Sequence, residues 1–209
     1  MFIIALDYLL EMAPDSPQAS RWKSLREGIE RNVRAHLWDV KRQKFIPHIY
    51  PEKSPIPEGF DELAIHYHGG TAIAIEAGLL SEDEIRTVNA QMLENVRLSG
   101  MPSIGLTLYP VYPDGFFHGG MSKAYLYQNG GDWTWFGGRM IQQLVVNGMV
   151  EEAYTEIHPM IERVIQNNGF YEWYGKGGIP SGSGNFKGSA GVLSKAIVLL
   201  RDWAEKNKS

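Results

Sequence analysis

Apolar residues recur every three to four positions along most of this chain, which is the period of a helix with one buried face. The clearest apolar stripes are Trp22, Leu25, Ile29, Val33 and Leu37; Ala153, Ile157, Met160, Ile161 and Val164; and Leu193, Ala196, Ile197 and Leu200. Four further segments predict helices over residues 2–13, 61–77, 82–98 and 133–147. Short extended pieces at 45–49 and 106–109 could form a minor hairpin. The pattern predicts an all-α fold of about seven helices, in one α/α-hairpin domain over residues 1–209.

Capping residues support the predicted helix ends. Ser81, with Glu84 three residues later, forms a capping box, in which each side chain accepts a hydrogen bond from the backbone of the other residue. A glycine also follows four of the periodic segments, where helices commonly end with a left-handed residue. These glycines are Gly78, Gly100, Gly148 and Gly169.

The connections between helices alternate in length. Residues 78–82 and 148–150 are short links, whereas 38–60, 99–131 and 168–188 are long and rich in glycine, proline and aromatic residues. In a toroid of antiparallel helix pairs, links of one kind lie on one face. Because long loops of unusual composition are commonly functional, we expect the site on the face that carries the long links.

The composition narrows the class of partner. With 44% hydrophobic residues, the chain can bury a core without disulfides, and it contains no cysteine. A net charge of -4 and a pI near 5.9 argue against nucleic acid or an anionic membrane as partner. The opening MFIIALDYLLEM lacks a basic flank and a cleavage site, so it predicts a core helix rather than a signal peptide or a membrane span. We expect a soluble protein, leave its compartment open, and expect further sequence upstream because a buried first helix is unusual.

The segment 109–138, YPVYPDGFFHGGMSKAYLYQNGGDWTWFGG, has the composition of a sugar groove. Flat aromatic rings suit the apolar faces of pyranoses, while amides, carboxylates and guanidinium groups suit their hydroxyls. The candidate residues are Tyr127, Gln128, Asn129, Asp132, Trp133, Trp135 and Arg139. The alternative is that the aromatics anchor the loop and that Asp132 caps the following helix.

A second candidate site is NGFYEWY, residues 168–174, in which Glu172 is the one acid. Inverting glycosidases need an ionised carboxylate to activate water, and a loop glutamate among aromatics could supply it. A solvated or hydrogen-bonded structural role is the alternative for a lone glutamate.

Two further motifs are weaker signals. The glycine-rich segment 175–191 lacks the lysine of a phosphate-binding loop and predicts a flexible wall over a ligand site, with plain disorder as the alternative. His66 and His68 are two residues apart and would face opposite sides of a helix, so we expect structural histidines rather than a metal pair. No metal or cofactor is expected.

The order YQNGGDWTWFGG, a helix, NGFYEWY, a glycine-rich loop and a closing helix resembles the C-terminal portion of six-hairpin (α/α) barrel glycosidases near trehalase and glycoside hydrolase family 63. The likeness covers most of the chain, since LWDVKRQKF and YPVYPDGFF are also similar to that group. It implies a partial α/α toroid and a glycoside hydrolase acting with inversion on α-glucosidic or related O-glycosidic bonds. It also implies Glu172 as the general base, Asp132 in the sugar subsite, and Tyr171 and Trp173 beside the base.

This chain also departs from the family. The general acid of such enzymes is an aspartate in a segment that precedes the part matched here, and only Asp132 or Asp61 could replace it. We therefore expect either a missing N-terminal half of the barrel or a homodimer as partner, with carbohydrate as substrate. A non-catalytic carbohydrate-binding or remnant half-barrel is the main alternative, and an unrelated helical-repeat interaction protein is a third.

Overall fold

The computed structural model describes residues 1–208. Its helices are α1 (Phe2–Met12), α2 (Ala19–Leu37), α3 (His68–Glu76), α4 (Glu82–Ser99), α5 (Thr134–Val146), α6 (Val150–Gln166) and α7 (Lys187–Lys206). Its strands are β1 (Trp38–Asp39), β2 (Lys44–Phe45), β3 (His66–Tyr67), β4 (Leu108–Tyr109), β5 (Trp173–Tyr174) and β6 (Pro180–Ser181). The strands form the antiparallel pairs β1–β2, β3–β4 and β5–β6. The predicted all-α class is confirmed, because these pairs are only two residues long and the helices form the body of the molecule.

Helix α5 is the centre of the packing and contacts α3, α6 and α7. Small residues allow the close approach: Gly69 of α3 lies directly against the ring of Phe136, and a Cβ added at Gly138 would lie 2.9 Å from Val192 Cγ1 of α7. The main core around α5 includes Ile75, Val88, Met92, Ile141, Leu144, Ile157 and Leu193. Burying each such side chain contributes roughly 1.5–3 kcal/mol, so this cluster is the main source of stability.

Most of the predicted helix ends are confirmed. Both hydrogen bonds of the Ser81–Glu84 capping box are present. Three of the four predicted glycine caps have positive φ: Gly78 at 69°, Gly100 at 68° and Gly148 at 77°.

The fourth predicted cap, Gly169, is wrong by one residue. Asn168 takes the left-handed conformation instead, with φ 49°, and the Gly169 N–H donates to the carbonyl of Val164 at 3.2 Å. Asparagine is the commonest substitute for glycine in this position, because its short polar side chain tolerates positive φ.

The helix predicted over 61–77 is wrong in its first half. Residues Glu62–Ala64 form a single 3-10 turn, and His66 and Tyr67 then pair with Tyr109 and Leu108 across the β3–β4 ladder. The apolar spacing does fit a helix locally. Pairing with a distant strand overrides that local preference, so α3 begins only at His68.

Two other expectations also need correction. The extended pieces at 45–49 and 106–109 do not pair with each other: Phe45 pairs with Trp38, and β4 pairs with β3. The glycine-rich segment is shorter than predicted, because α7 begins at Lys187.

Backbone hydrogen bonds join the three long connections into one structure, here called the long-loop rim and comprising residues 66–67, 105–109, 131–133, 172–175 and 180–183. The β3–β4 ladder joins the first two segments, and isolated bridges join Leu106 to Asp132 and Asp132 to Tyr174. The ladder β5–β6 adds the last segment. The connections between α2 and α3, α4 and α5, and α6 and α7 therefore meet. The first does so through 66–67, which the sequence assigned to a helix, and not through the predicted link 38–60.

Within residues 1–208, no helix combines the length and the apolar character needed to cross a membrane.

Candidate functional site

Glu172 lies at the start of β5 on the long-loop rim. Its backbone N–H donates to the Ser183 carbonyl at 2.9 Å, which fixes the segment against the strand that returns from the glycine-rich loop. The side chain is partly exposed, and the Ser183 N–H lies 3.4 Å from Oε2. Among residues 1–208, no cation forms a salt bridge with this carboxylate. The backbone of Glu172 is thus fixed, whereas its carboxyl group is partly exposed and can contact a ligand.

Gly182 is the closest neighbour of the Glu172 side chain. It has φ +72°, and a Cβ added there would lie 2.7 Å from Glu172 Cβ and closer still to Oε2. Only glycine fits this position, for reasons of both backbone conformation and space.

Aromatic rings surround the approach to Glu172. The ring of Tyr127 lies edge-on to Trp173, with 6.3 Å between centroids, and edge-on to Trp133 at 4.9 Å. Tyr127 and Trp173 are partly exposed, so both can offer a surface to a ligand. Trp133 is only 5% exposed, and its Nε1–H donates to the Tyr127 carbonyl at 3.1 Å. Trp133 therefore supports the aromatic wall from behind, as the loop-anchoring alternative predicted.

Asp132 is completely buried. Ser103 Oγ donates to the two carboxylate oxygens at 2.7 and 2.9 Å, and Arg163 Nη1 lies 2.8 Å from Oδ1 in an ion pair. Helix α5 has no side-chain cap bond, so the expectation that Asp132 caps it is wrong. With 0% exposure, the Asp132 carboxylate does not line a groove of this chain and contacts the core instead.

Asn129 and Gln128 are adjacent but have different environments. Asn129 is completely buried, and its side chain accepts from the Tyr112 N–H at 2.9 Å and donates to the Tyr112 carbonyl at 3.1 Å. Both ends of the amide are therefore used to anchor the loop. Gln128 is exposed at the loop surface.

Arg139 and Trp135 form a separate pair on α5. The Arg139 guanidinium lies 4.5 Å above the Trp135 ring and forms a salt bridge of 2.5 Å with Glu76 of α3. Tyr171, next to Glu172, is partly exposed and its carbonyl accepts from Ser189 Oγ at 3.1 Å. The long-loop rim thus contains the candidate residues Glu172 and Trp173; Tyr171 precedes them in the chain, and Tyr127 packs against Trp173.

Sequence reasoning missed the hydrogen-bonded carboxylate of Glu62, in the connection between α2 and α3. Glu62 Oε1 accepts from the hydroxyls of Tyr50 and Tyr112, each at 2.7 Å, and lies 2.7 Å from His48 Nδ1. Burial by itself raises the pKa of Glu62, but the hydrogen bonds from these three side chains lower it overall. Asp61, the alternative acid, is exposed next to it. The one signal in the sequence was the acidic segment PEGFDELA, residues 57–64, whose last four residues were assigned to the helix predicted over 61–77.

His66 and His68 are buried and adjacent, with 5.2 Å between ring centroids. His66 lies on a strand, so the expectation that the two rings face opposite sides of a helix is wrong. His66 Nε2 contacts Thr71 Oγ1, and His68 Nε2 contacts Asn95 Nδ2, each at 3.1 Å. Burial lowers the pKa of both, to about 3 for His68, so both rings are neutral structural groups.

No protein-family model matches the sequence, and no curated protein matches it either. Solved structures do match. A GH63 mannosylglycerate hydrolase from Thermus thermophilus, in complex with Tris and D-glycerate, aligns at TM-score 0.62 and 15% identity, over 96% of this chain and 44% of the hydrolase. The same hydrolase with glucose aligns at 0.63 and 18%, over 96% and 43%. An uncharacterized conserved protein from that organism aligns at 0.63 and 18%, over 96% and 44%.

This chain spans less than half the length of the structures it matches. At these identities the likeness establishes the fold and leaves the activity open. The chain therefore has the fold of a portion of a family 63-like (α/α) barrel, as its sequence resemblance predicted.

Proposed function

We propose that this chain supplies the base-bearing side of an inverting glycoside hydrolase that acts on α-glucosidic or related O-glycosidic bonds. The observation that carries the proposal is the contrast between the two candidate acids. Asp132 is buried and paired, whereas Glu172 is partly exposed beside Tyr127 and Trp173. The fold shared with a mannosylglycerate hydrolase supports the same class of reaction.

In this mechanism Glu172 removes a proton from a water molecule, which attacks the anomeric carbon from the side opposite the leaving group. A protonated acid about 6.5–9.5 Å away donates its proton to the leaving oxygen. Tyr127 and Trp173 pack against the sugar ring and exclude water from its apolar face. Gln128, which is exposed and adjacent to Tyr127 in the chain, supplies an amide for a sugar hydroxyl in this proposal.

The acid and the rest of the wall are proposed to come from the remainder of a barrel. Helix α1 leaves apolar residues exposed: Phe2 and Met12 are 58% and 73% exposed. Between α6 and α7 a largely apolar groove of about 600 Å³ includes Tyr154 and Trp203, which are 60% and 44% exposed. Apolar surfaces of this kind usually pack against a partner, and the matched structures are more than twice as long.

The test uses the assembled protein, which is this chain together with the remainder of the barrel. The substrates are a panel of α-linked disaccharides and mannosylglycerate. Glu172→Gln should lower kcat by about 10²–10⁴-fold, the usual range for a general base. Glu58→Gln, an exposed acid in another long loop, is the matched control and should retain activity. The product anomer, read by NMR before mutarotation, should be inverted. Unchanged turnover in Glu172→Gln, or a retained anomer, would refute the assignment.

A second candidate is a carbohydrate-binding or remnant half-barrel without turnover. The burial of Asp132 favours it, because the chain alone then has Glu172 without its predicted partner acid. Calorimetry on the isolated chain should show sugar binding that is lost in Trp173→Ala. Trp173 is a better probe than Trp133, because removing a buried ring also creates a cavity. A homodimer that completes the site would be detected by sedimentation and by turnover of the chain alone.

A further inference from the structure

A buried ion pair lies behind the β5 segment that carries Glu172. Arg163 of α6 is 5% exposed and Asp132 is fully buried, with 2.8 Å between Nη1 and Oδ1. Arg163 Nη2 also donates to Thr134 Oγ1 at 2.7 Å, and Ser103 Oγ donates to Asp132. The pair therefore connects α6 with the start of α5 and with the loop after α4.

The same pair is connected directly to the Glu172 segment. The Asp132 N–H donates to the Tyr174 carbonyl at 2.9 Å, and the Tyr174 N–H donates to the Asp132 carbonyl at 2.8 Å. The Arg163 guanidinium lies 4.1 Å from the centroid of the buried Tyr174 ring. Glu172 is two residues before Tyr174, so the position of its backbone depends on this bridge.

Stability alone is a weak reason for this arrangement. Desolvating two charges offsets most of their attraction, and buried ion pairs can often be replaced by apolar residues without loss of stability. Among residues 1–208, Arg163 Nε and Tyr174 Oη have no hydrogen-bond partner although they are buried, and Arg163 Nη1 contacts Asp132 as an ion pair without hydrogen-bond geometry. The network therefore leaves polar atoms without hydrogen bonds. The charges instead favour a single arrangement of α6 and the Asp132 segment, because leaving Asp132 or Arg163 buried without its partner would be strongly unfavourable.

We propose that Arg163 and Asp132 are positioning residues for Glu172: their ion pair fixes the Asp132–Tyr174 bridge and thereby the placement of the Glu172 carboxylate. This inference rests on the proposed role of Glu172 as base. It also changes the role of Asp132 from a sugar ligand to a support behind the site.

The kinetic test uses the assembled protein and the variants Arg163→Met and Arg163→Lys. Arg163→Met should lower kcat by about 100-fold with KM within about threefold, as expected when a reacting group is misplaced by about 1 Å. Arg163→Lys keeps the charge and should recover part of kcat. Arg97→Met, which breaks an exposed pair with Glu94, is the control and should leave both constants unchanged. A kcat unchanged in Arg163→Met, or equal losses in the Met and Lys variants, would overturn the proposal.

A second readout is independent of turnover. In the isolated chain, amide hydrogen exchange at Asp132 and Tyr174 should accelerate at least about tenfold in Arg163→Met relative to the amides of α4. If Arg163→Met does not fold, Ser103→Ala loosens Asp132 without leaving an unpaired charge, and the same acceleration is expected. Activity retained in Glu172→Gln would refute the proposed function, whereas unchanged exchange in both variants would refute the positioning role by itself.

Discussion

Replacing Glu156 with glutamine should stabilise the protein at pH 8 and have little effect near pH 4. Glu156 lies on the buried face of α6, is 8% exposed, and accepts a hydrogen bond from Asn89 Nδ2 at 2.8 Å. Burial raises its pKa from 4.5 to about 7, although the Asn89 hydrogen bond opposes this rise, and repulsion from Glu152 adds to it. The folded state therefore disfavours the ionised form.

The sign and size follow from the two pKa values. Below pH 4.5 the carboxyl is protonated in both states, so it has no pH-dependent effect on stability. As pH rises from 4.5 to about 7, the unfolded state releases its proton first and stability is lost. At about 1.4 kcal/mol per pKa unit, the loss reaches about 3 kcal/mol above pH 7. Glutamine removes this loss, retains the acceptor for Asn89, and can donate to Asn89 Oδ1, which has no hydrogen-bond partner among residues 1–208.

The assay is thermal or urea unfolding at pH 4 and pH 8. Relative to wild type, Glu156→Gln should gain roughly 6–12 °C in Tm at pH 8, using about 2–4 °C per kcal/mol for a chain of this size. The gain should be only a small fraction of this at pH 4. Glu162→Gln changes an exposed acid on the same helix and is the control. If wild type and Glu156→Gln lose stability equally between pH 4 and pH 8, the carboxyl does not titrate as argued.

Two further outcomes test the rim. Gly182→Ala should lower turnover about 10-fold or more, because the added Cβ displaces Glu172. Gly178 also has positive φ, +73°, but has open space around it, so Gly178→Ala is the control and should change only stability. Equal turnover in the two variants would contradict the role of Gly182. Burial lowers the pKa of Lys44 from 10.5 to about 8, so the fold loses stability as pH falls from 10.5 to 8 and the side chain becomes charged. The Tm of Lys44→Met minus that of wild type should therefore be larger at pH 7 than at pH 10.5. Equal Tm differences at the two pH values would contradict this.

The local pattern of apolar residues was sufficient to predict most of the helices but not the strands. The stripe Ala153, Ile157 and Met160 predicts α6 because its period is contained in consecutive residues. His66 and Tyr67 carry no comparable signal, because their pairing depends on Leu108 and Tyr109, which lie far along the chain. The same limit explains the predicted hairpin, whose two pieces are extended but have other partners.

The candidate site shows the same division between local and distant information. Composition placed Asp132 and Glu172 in equivalent aromatic, glycine-rich loops, and nothing near Asp132 in sequence reveals Arg163, which comes from a later helix. A carboxylate becomes structural or available for chemistry according to whether the fold brings a cation to it. Arg163, on the buried face of α6, forms an ion pair with Asp132, whereas Glu172 has no cationic partner among residues 1–208. The proposed assignment of Glu172 as the base therefore depends on Arg163, a residue that belongs to neither loop.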